Sequence, residues 1–283
     1  MTYRLEHGDC RQLLKALPDA SVHAIITDPP YPGIRRDYGK WTEAEWRELM
    51  DEVVTESKRV LKPTGSAVFV LQPNYKHLGE MSLWLWSFLV DTARKWNLVQ
   101  NVYWWKPDSL PLAGCDRKTG LCRNSVKYCM WFGPRDCYRD QSAVLVPAAP
   151  VAQKKRLEDY SLNYAPSGRA MRDGRAYQTA IDRGGSTPFN LLRFGNQQDN
   201  SGRWGHGAGT PIKLADWWVR YIVPPGGVVL DPFAGVASIG VAALRQGRSY
   251  IGFEACEQYV TSAIERLSTV TLNTADGPPE LQP

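Results

Sequence analysis

Asp28-Pro29-Pro30-Tyr31 brings together a carboxylate, carbonyls left without a sheet or helix partner, and an aromatic face. Such a set can accept hydrogen bonds from a polar ligand and stack on it. The two prolines fix φ and remove backbone donors, so the turn continues neither as strand nor as helix. Just before it, the apolar, partly β-branched run Ala24-Ile25-Ile26-Thr27 reads as a buried strand that stops abruptly. The chemistry therefore sits at the carboxyl end of a strand, where open α/β sheets bind their ligands.

A second constellation lies two hundred residues downstream. Val228-Val229-Leu230-Asp231 reads as another short buried strand, and Pro232-Phe233-Ala234-Gly235-Val236-Ala237-Ser238 as a small-residue turn leading into a helix start. Small residues let the backbone approach a ligand closely, and a helix start offers free N–H groups to an anion. The next strand, residues 249–254, ends in Glu254, an acid placed to meet two ribose hydroxyls. At the amino terminus, His7-Gly8-Asp9-Cys10 forms a further turn. Each piece also has a plainer reading: an ordinary Pro-Pro turn, a solvated strand-end acid, and Asp9 as helix N-cap for residues 11–16. Their conjunction carries the argument.

Taken together, the segments resemble S-adenosylmethionine-dependent DNA methyltransferases that act on exocyclic amino groups. Asp28-Pro29-Pro30-Tyr31 resembles the family's catalytic motif. The Asp231 segment is similar to its cofactor motif D-P-F-x-G-x-G-T, with Ala237 for the second Gly and Ser238 for the Thr. The resemblance spans residues 1–105 and 205–268. It implies S-adenosyl-L-methionine as cofactor, with Asp9, Cys10, Lys213, Asp231, Pro232, Phe233, Ala234, Gly235, Ala237, Ser238 and Glu254 around it and Asp28 at its border. Asp9 would accept from the adenine amino group and the start of the downstream helix would meet the methionine carboxylate. Catalytic motif first and cofactor motif last resembles the β arrangement, in which the intervening segment recognises double-stranded DNA. A homodimer and a cognate restriction endonuclease are further partners this arrangement suggests.

The elements needed to hold these groups are legible as an alternation of apolar strands and helical patterns. Residues 53–61 read as a helix, 62–65 as its stop, and 66–71 as the next strand. Residues 83–96 read as a helix, 99–105 as a strand and 215–223 as an amphipathic helix. The expected fold is α/β, a doubly wound, mostly parallel Rossmann-like sheet with an inserted target-recognition region. The expected division is a catalytic half at 1–107, the insertion at 108–204, a cofactor half at 205–270 and a disordered polar tail at 271–283. Trp84, Trp86, Trp104, Trp105, Trp217 and Trp218 fall within apolar elements and read as core, while Trp41 and Trp46 read as lining or capping the site.

Charge distribution supports a nucleic-acid partner. The chain of 283 residues carries a net charge of +5. Residues 101–210 hold 16 Lys and Arg against 9 Asp and Glu, a net of +7; the remainder holds 18 against 20, a net of −2. Phosphate contacts need such an excess. Arg35, Arg36, Arg123, Lys127, Arg169, Arg172 and Arg175 are the DNA-contacting candidates. No apolar stretch reaches the ~20 residues of a membrane span, and no signal or transit segment is visible, which places the expected enzyme in a cytoplasmic setting. Cys115, Cys122, Cys129 and Cys137 lack any C-x-x-C pair, so buried or strand-borne reduced thiols, and no metal, are expected.

Which amine is methylated is a divided reading. Asp in the first motif position resembles N6-adenine enzymes. The continuation Tyr31-Pro32-Gly33-Ile34-Arg35-Arg36-Asp37-Tyr38-Gly39 is similar to the aromatic-x-G-x-R-x-Y-G flank of N4-cytosine enzymes, and N4 of cytosine is favoured. N6-adenine is the alternative and an RNA amine a more remote one. Protein-glutamine methyltransferases resemble N-P-P-Y instead. The chain contains no Pro-Cys dipeptide, the nucleophile signature of cytosine-C5 enzymes.

Overall fold

The computed structural model describes residues 2–36, 39–77, 79–109, 120–147, 180, 182–195 and 209–270, with the backbone alone at Arg35 and Arg36. Eight strands form one sheet in the order β1 (Tyr3–His7), β12 (Ser249–Glu254), β11 (Val228–Asp231), β2 (Val22–Thr27), β5 (Leu61–Leu71), β9 (Val126–Phe132), β8 (Leu98–Trp105) and β10 (Leu191–Arg193). All neighbours run parallel except β9, which is antiparallel to β5 and to β8. Two short ribbons pair β3 (Arg35–Arg36) with β4 (Gly39–Lys40) and β6 (Tyr75–His77) with β7 (Glu80–Met81).

From β11 the chain steps through α5 (Ser238–Arg245) to β12, away from β2. From β2 it steps through α2 (Glu43–Val60) to β5 in the opposite direction. The strand order therefore reverses between β11 and β2, and a crevice opens at the carboxyl ends of strands at such a reversal. Asp231 closes β11, and Asp28 follows directly on β2.

Helix α2 is twice the length the sequence reading gave it. Its start is a capping box: Thr42 Oγ1 accepts from Glu45 N at 3.2 Å, and Glu45 Oε2 accepts from Thr42 N at 2.9 Å. Glu43 and Glu45 in the first turn and Lys58 and Arg59 in the last complement the helix dipole. Trp46, Leu49, Met50, Val53, Val54 and Val60 recur at helical spacing and enter the core. The helix ends at Val60, one residue short of expectation, and 62–65 are not a separate stop but already strand, absorbed as an irregularity opposite Val22–Ala24 of β2.

Helices α3 (Trp84–Lys95) and α4 (Ile212–Ile222) agree with expectation, α4 beginning three residues early. The remaining helices are α1 (Cys10–Lys15) and α6 (Glu257–Ser268). Trp84, Trp104, Trp217 and Trp218 are buried as expected, whereas Trp105 is 36% exposed and Trp86 is half-buried. Among the described residues no helix is long and apolar enough to cross a membrane.

The chain divides into two compact units, residues 1–139 with 190–274, and residues 140–189 with 275–283. The first holds the whole eight-stranded sheet. Here the expected insertion is corrected: residues 126–132, placed in it by the sequence reading, form β9 inside the sheet, where Cys129, Met130, Trp131 and Phe132 are buried. Their apolar run is long enough to pair on both sides. In the second unit, Gln141–Val144 form a 3-10 turn and Val146 bridges Ser186. The tail at 271–283 lies outside the described residues.

Candidate active site

A cavity of about 660 Å³ runs along the carboxyl edge of the sheet. Asp28, Pro29, Pro30 and Tyr31 line its middle. On the β11–β12–β1 side it is bounded by Asp9, Cys10, Asp231–Val236, Ser238 and Glu254; on the β5–β9–β8 side by Gln72, Asn74, Trp104, Lys106, Asn124 and Lys127. The sequence candidates of the two motifs thus converge although they are two hundred residues apart.

Sheet geometry explains the convergence. Val229 and Leu230 of β11 pair with Ala24 and Ile25 of β2, and Thr27 Oγ1 donates to Asp231 Oδ1 at 2.6 Å. The same oxygen accepts from Phe233 N at 3.1 Å, which shapes the turn after β11. Burial, only partly offset by these two bonds, pushes the Asp231 carboxyl up to about 7. The folded protein therefore holds this proton between pH ~4 and ~7 while the unfolded chain, at 3.8, has released it. The resulting stability is full below about pH 4 and is lost as pH rises to about 7, at up to ~1.4 kcal/mol per pH unit. Asp231→Asn keeps an acceptor for Thr27 and Phe233 without the titration. In thermal unfolding scans from pH 4 to 8, the wild-type midpoint is expected to fall relative to the Asn variant across that window; parallel curves would refute the assignment.

Glu254 anchors the next turn. Its Oε2 accepts from Gly235 N at 2.7 Å and its Oε1 from Cys256 N at 2.8 Å. Burial raises the carboxyl above its usual range, against the pull of these backbone N–H bonds. Ala237 does not line the cavity; it is fully buried with φ 57°, the left-handed conformation that favours glycine. Such a residue costs roughly 1–2 kcal/mol, which the surrounding turn must hold in place. One support is Arg266 of α6, itself buried, which donates to Val236 O at 3.0 Å and to Ser238 Oγ at 3.2 Å. The first intrahelical bond of α5 runs from Val241 N to Ala237 O, and Ser238 and Ile239 at this helix start border the cavity.

Asp9 serves both of its readings. It caps α1 by accepting from Arg11 N at 2.9 Å, and it lines the cavity. The Arg11 guanidinium also binds the carboxylate and holds its pKa below the usual value. Burial pushes the neighbouring Cys10 thiol up to about 12, which leaves it a neutral wall. Lys213 does not reach this place. It is exposed on the first turn of α4, and Gly209 and Thr210 line the cavity instead.

Around Asp28 the sequence reading missed the partners. Tyr31 Oη donates to Asp28 Oδ1; Asp28 Oδ2 accepts from Lys127 Nζ at 2.7 Å and from Thr210 Oγ1 at 3.3 Å. Lys127, a candidate for surface phosphate contact, is 7% exposed and is corrected to a partner of the catalytic turn. Its ammonium also lies 5.3 Å from the Tyr31 ring centroid. Trp46 does not line the cavity as expected; it is buried behind the turn and donates Nε1–H to Pro30 O, while Trp41 does line it. Asn74 fixes the following loop, donating to Pro32 O at 2.7 Å and accepting from Trp84 Nε1 at 2.7 Å.

The other DNA candidates are placed unevenly. Arg123 is exposed and donates to Ser109 O at 3.1 Å. Arg35 and Arg36 sit on a ribbon whose side chains are outside the described residues, as are Arg169, Arg172 and Arg175 altogether. Cys129 and Cys137 are buried and Cys122 is exposed; Cys115 falls outside the described residues.

A sheet with its strand order reversing at a carboxylate-lined crevice, and two Asp-Pro turns facing that crevice, is the arrangement in which α/β proteins bind their ligands. The model of the DNA methylase family matches residues 22–265, and the chain belongs to that family, the S-adenosylmethionine-dependent methyltransferases of exocyclic amino groups. The chain is 28% identical to the type II methyltransferase M.PvuII of Proteus hauseri over 275 residues, 92% of this chain and 82% of that one. It is 25% identical to the DNA adenine methyltransferase YhdJ of Escherichia coli K12, covering 95% and 84%. Among solved structures, PvuII DNA methyltransferase, described as cytosine-N4-specific, superposes with a TM-score of 0.72 at 21% identity over 98% of this chain and 89% of that one. The complex of M1.HpyAVI with S-adenosylmethionine gives 0.60 at 17%, over 94% and 99%.

The cofactor is S-adenosylmethionine, and the residues present suit it. The β11–β12–β1 side offers the Asp9 and Glu254 carboxylates as acceptors, the start of α5 for a carboxylate, and the apolar walls of Phe233 and Ile239.

Proposed function

We propose that the chain is a site-specific DNA methyltransferase that modifies N4 of a cytosine turned out of the duplex. The observation that carries the reading is the position of Asp28. It sits where the cofactor side of the cavity meets a second, partly aromatic side lined by Tyr75 and Trp104. The base identity is supported by the flank at residues 31–39 and by the relative whose structure is described as cytosine-N4-specific. N6 of adenine is the second reading, favoured by the Asp in the first motif position and by the likeness to YhdJ.

S-adenosylmethionine supplies an electrophilic sulfonium methyl group. Glu254 takes the ribose hydroxyls, Asp9 the adenine amino group, and the N–H groups at the start of α5 the methionine carboxylate. The exocyclic amine of a base is a poor nucleophile because its lone pair is delocalised into the ring. Asp28 and the Pro29 carbonyl accept its two N–H bonds and favour a pyramidal nitrogen whose lone pair faces the methyl group. As the nitrogen took up the methyl group and the thioether departed, positive charge would grow on that nitrogen; the Asp28 carboxylate would stabilise it, and one N–H proton would then pass by way of Asp28 to solvent. Tyr31 stacks on the extruded base, and the cavity walls supply positioning for in-line displacement. Trp46 holds Pro30 O and so keeps the turn in register with the cofactor side.

The test is transfer of a labelled methyl group from S-adenosylmethionine to duplex DNA of mixed sequence, followed by digestion and mass spectrometry of the nucleosides. N4-methylcytosine is the expected product. N6-methyladenine would transfer the assignment to the second reading, and no modified deoxynucleoside would count against both.

A further inference from the structure

Beside Asp28, the far side of the cavity is more cationic than stacking on a base requires. Lys127 of β9 pairs across the sheet with Trp104 of β8, so the two side chains share a face; Lys106, two residues beyond Trp104, falls on the same face. Both ammonium groups lie against the Trp104 indole, 5.0 and 5.9 Å from the ring centroid. Both lysines are buried, at 7% and 8% exposure. Lys127 donates to Asp28 Oδ2, and Lys106 to Gln72 Oε1 at 2.7 Å. Gln72 is itself fixed by donating to Asn124 O at 2.8 Å.

Two buried ammonium groups in one cavity are costly, and each carries three N–H donors. Among the described residues each makes one hydrogen bond. Burial, and then the charge of Lys127, bring the Lys106 pKa down to about 8. The site is therefore built at an energetic cost, and both lysines line the cavity.

We propose that Asp28, Lys127 and Lys106 together read the Watson–Crick edge of the extruded base, Asp28 accepting from N4, Lys127 donating to N3 and Lys106 donating to O2 of cytosine. The inference rests on the cytosine reading above and adds the groups that select it. Cytosine presents donor, acceptor, acceptor along that edge, the complement of acceptor, donor, donor. Adenine matches the first two positions but sets a C–H against Lys106, so the ammonium gains no acceptor from the base. Thymine turns a carbonyl toward the Asp28 carboxylate. A site built to hydrogen-bond a group rejects an analogue that lacks it far more strongly than a merely apolar pocket does. A cation at N3 or O2 also draws electron density from N4, so these lysines select the base rather than speed the transfer, and their effect falls on KM.

The experiment uses the full chain and a duplex bearing one target site, mapped from the wild-type methylation product. Lys106→Met is expected to raise KM for that duplex about 10- to 100-fold with a much smaller change in kcat and an unchanged Kd for S-adenosylmethionine. A duplex with 3-deazacytosine at the target, which lacks the ring acceptor, is expected to cost the wild type a similar factor. Lys127→Met is expected to lose little more on that analogue than on cytosine, because the two changes remove one interaction. N4-methylcytosine from the wild type, with a Lys106→Met KM within threefold of it or with fully additive losses for Lys127→Met and the analogue, would overturn the proposal and leave the cytosine reading standing. N6-methyladenine from the wild type would overturn that reading and the proposal with it.

Discussion

Asp28→Ala is expected to lower kcat for methyl transfer by about 10³-fold or more while the Kd for S-adenosylmethionine, measured by calorimetry, stays within a few-fold of wild type. The split follows from position. Asp28 lies at the border of the cofactor side, and the contacts proposed for the cofactor come from Asp9, Glu254 and the start of α5. The alanine variant also strands Lys127, whose ammonium is bonded to the lost carboxylate and is nearly buried. Removing one partner of such a pair costs roughly 3–5 kcal/mol, so a lower unfolding midpoint is expected as well. Asp28→Asn separates the two effects. It retains an oxygen for Lys127, and so most of the stability, but lacks the negative charge that stabilises the developing ammonium. Its kcat is expected to fall nearly as far. Equal loss of cofactor affinity and of turnover in both variants would show that Asp28 belongs to the cofactor site and not to the chemistry.

Glu254→Gln is expected to weaken S-adenosylmethionine binding by about 10- to 100-fold and to destabilise the protein by about 1–3 kcal/mol. This substitution is mild at a surface and severe here. Both carboxylate oxygens of Glu254 accept backbone N–H bonds, one from Gly235 and one from Cys256. Glutamine has a single oxygen, so its amide nitrogen would face an N–H whichever way it turned. One turn or the other loses its partner, and the ribose hydroxyls lose an acceptor. Loss should appear in binding with kcat at saturating cofactor largely preserved. A Kd within threefold of wild type would exclude Glu254 from the cofactor site.

Much of this architecture was readable from residues alone. The two Asp-Pro turns each follow an apolar strand, and the reversal of strand order between β2 and β11 brings them together as the doubly wound pattern requires. Helices α3 and α4 and strand β8 were legible from periodicity. Elsewhere local signals were outweighed. Lys62-Pro63-Thr64-Gly65 has the chemistry of a helix stop, yet β5 begins at Leu61 because pairing with β2 continues through an irregularity. The first half of α2 went unread although Thr42-x-x-Glu45 is a capping signature. In the site, the motif residues converged, but Lys127, Lys106, Gln72 and Arg266 could not have been placed without the sheet. A lysine within an apolar strand gives no sign of whether it ends at solvent or at a carboxylate a hundred residues away. Lys213, taken from the family resemblance, lands on the exposed face of α4.

The bond between Thr27 and Asp231 joins residues 204 positions apart, and β2 lies between β5 and β11 at the centre of the sheet. On the ribosome, at about 5–20 residues per second, β2 emerges on the order of 10–40 s before the strand that covers its other edge. Through that interval Ala24, Ile25 and Ile26, all buried in the finished protein, present unpaired backbone groups along one side. Every nascent chain passes through a half-built sheet with this buried, apolar edge open. Messages truncated before β11 would release products that cannot leave that state, and for them the choice is between a chaperone and an aggregate.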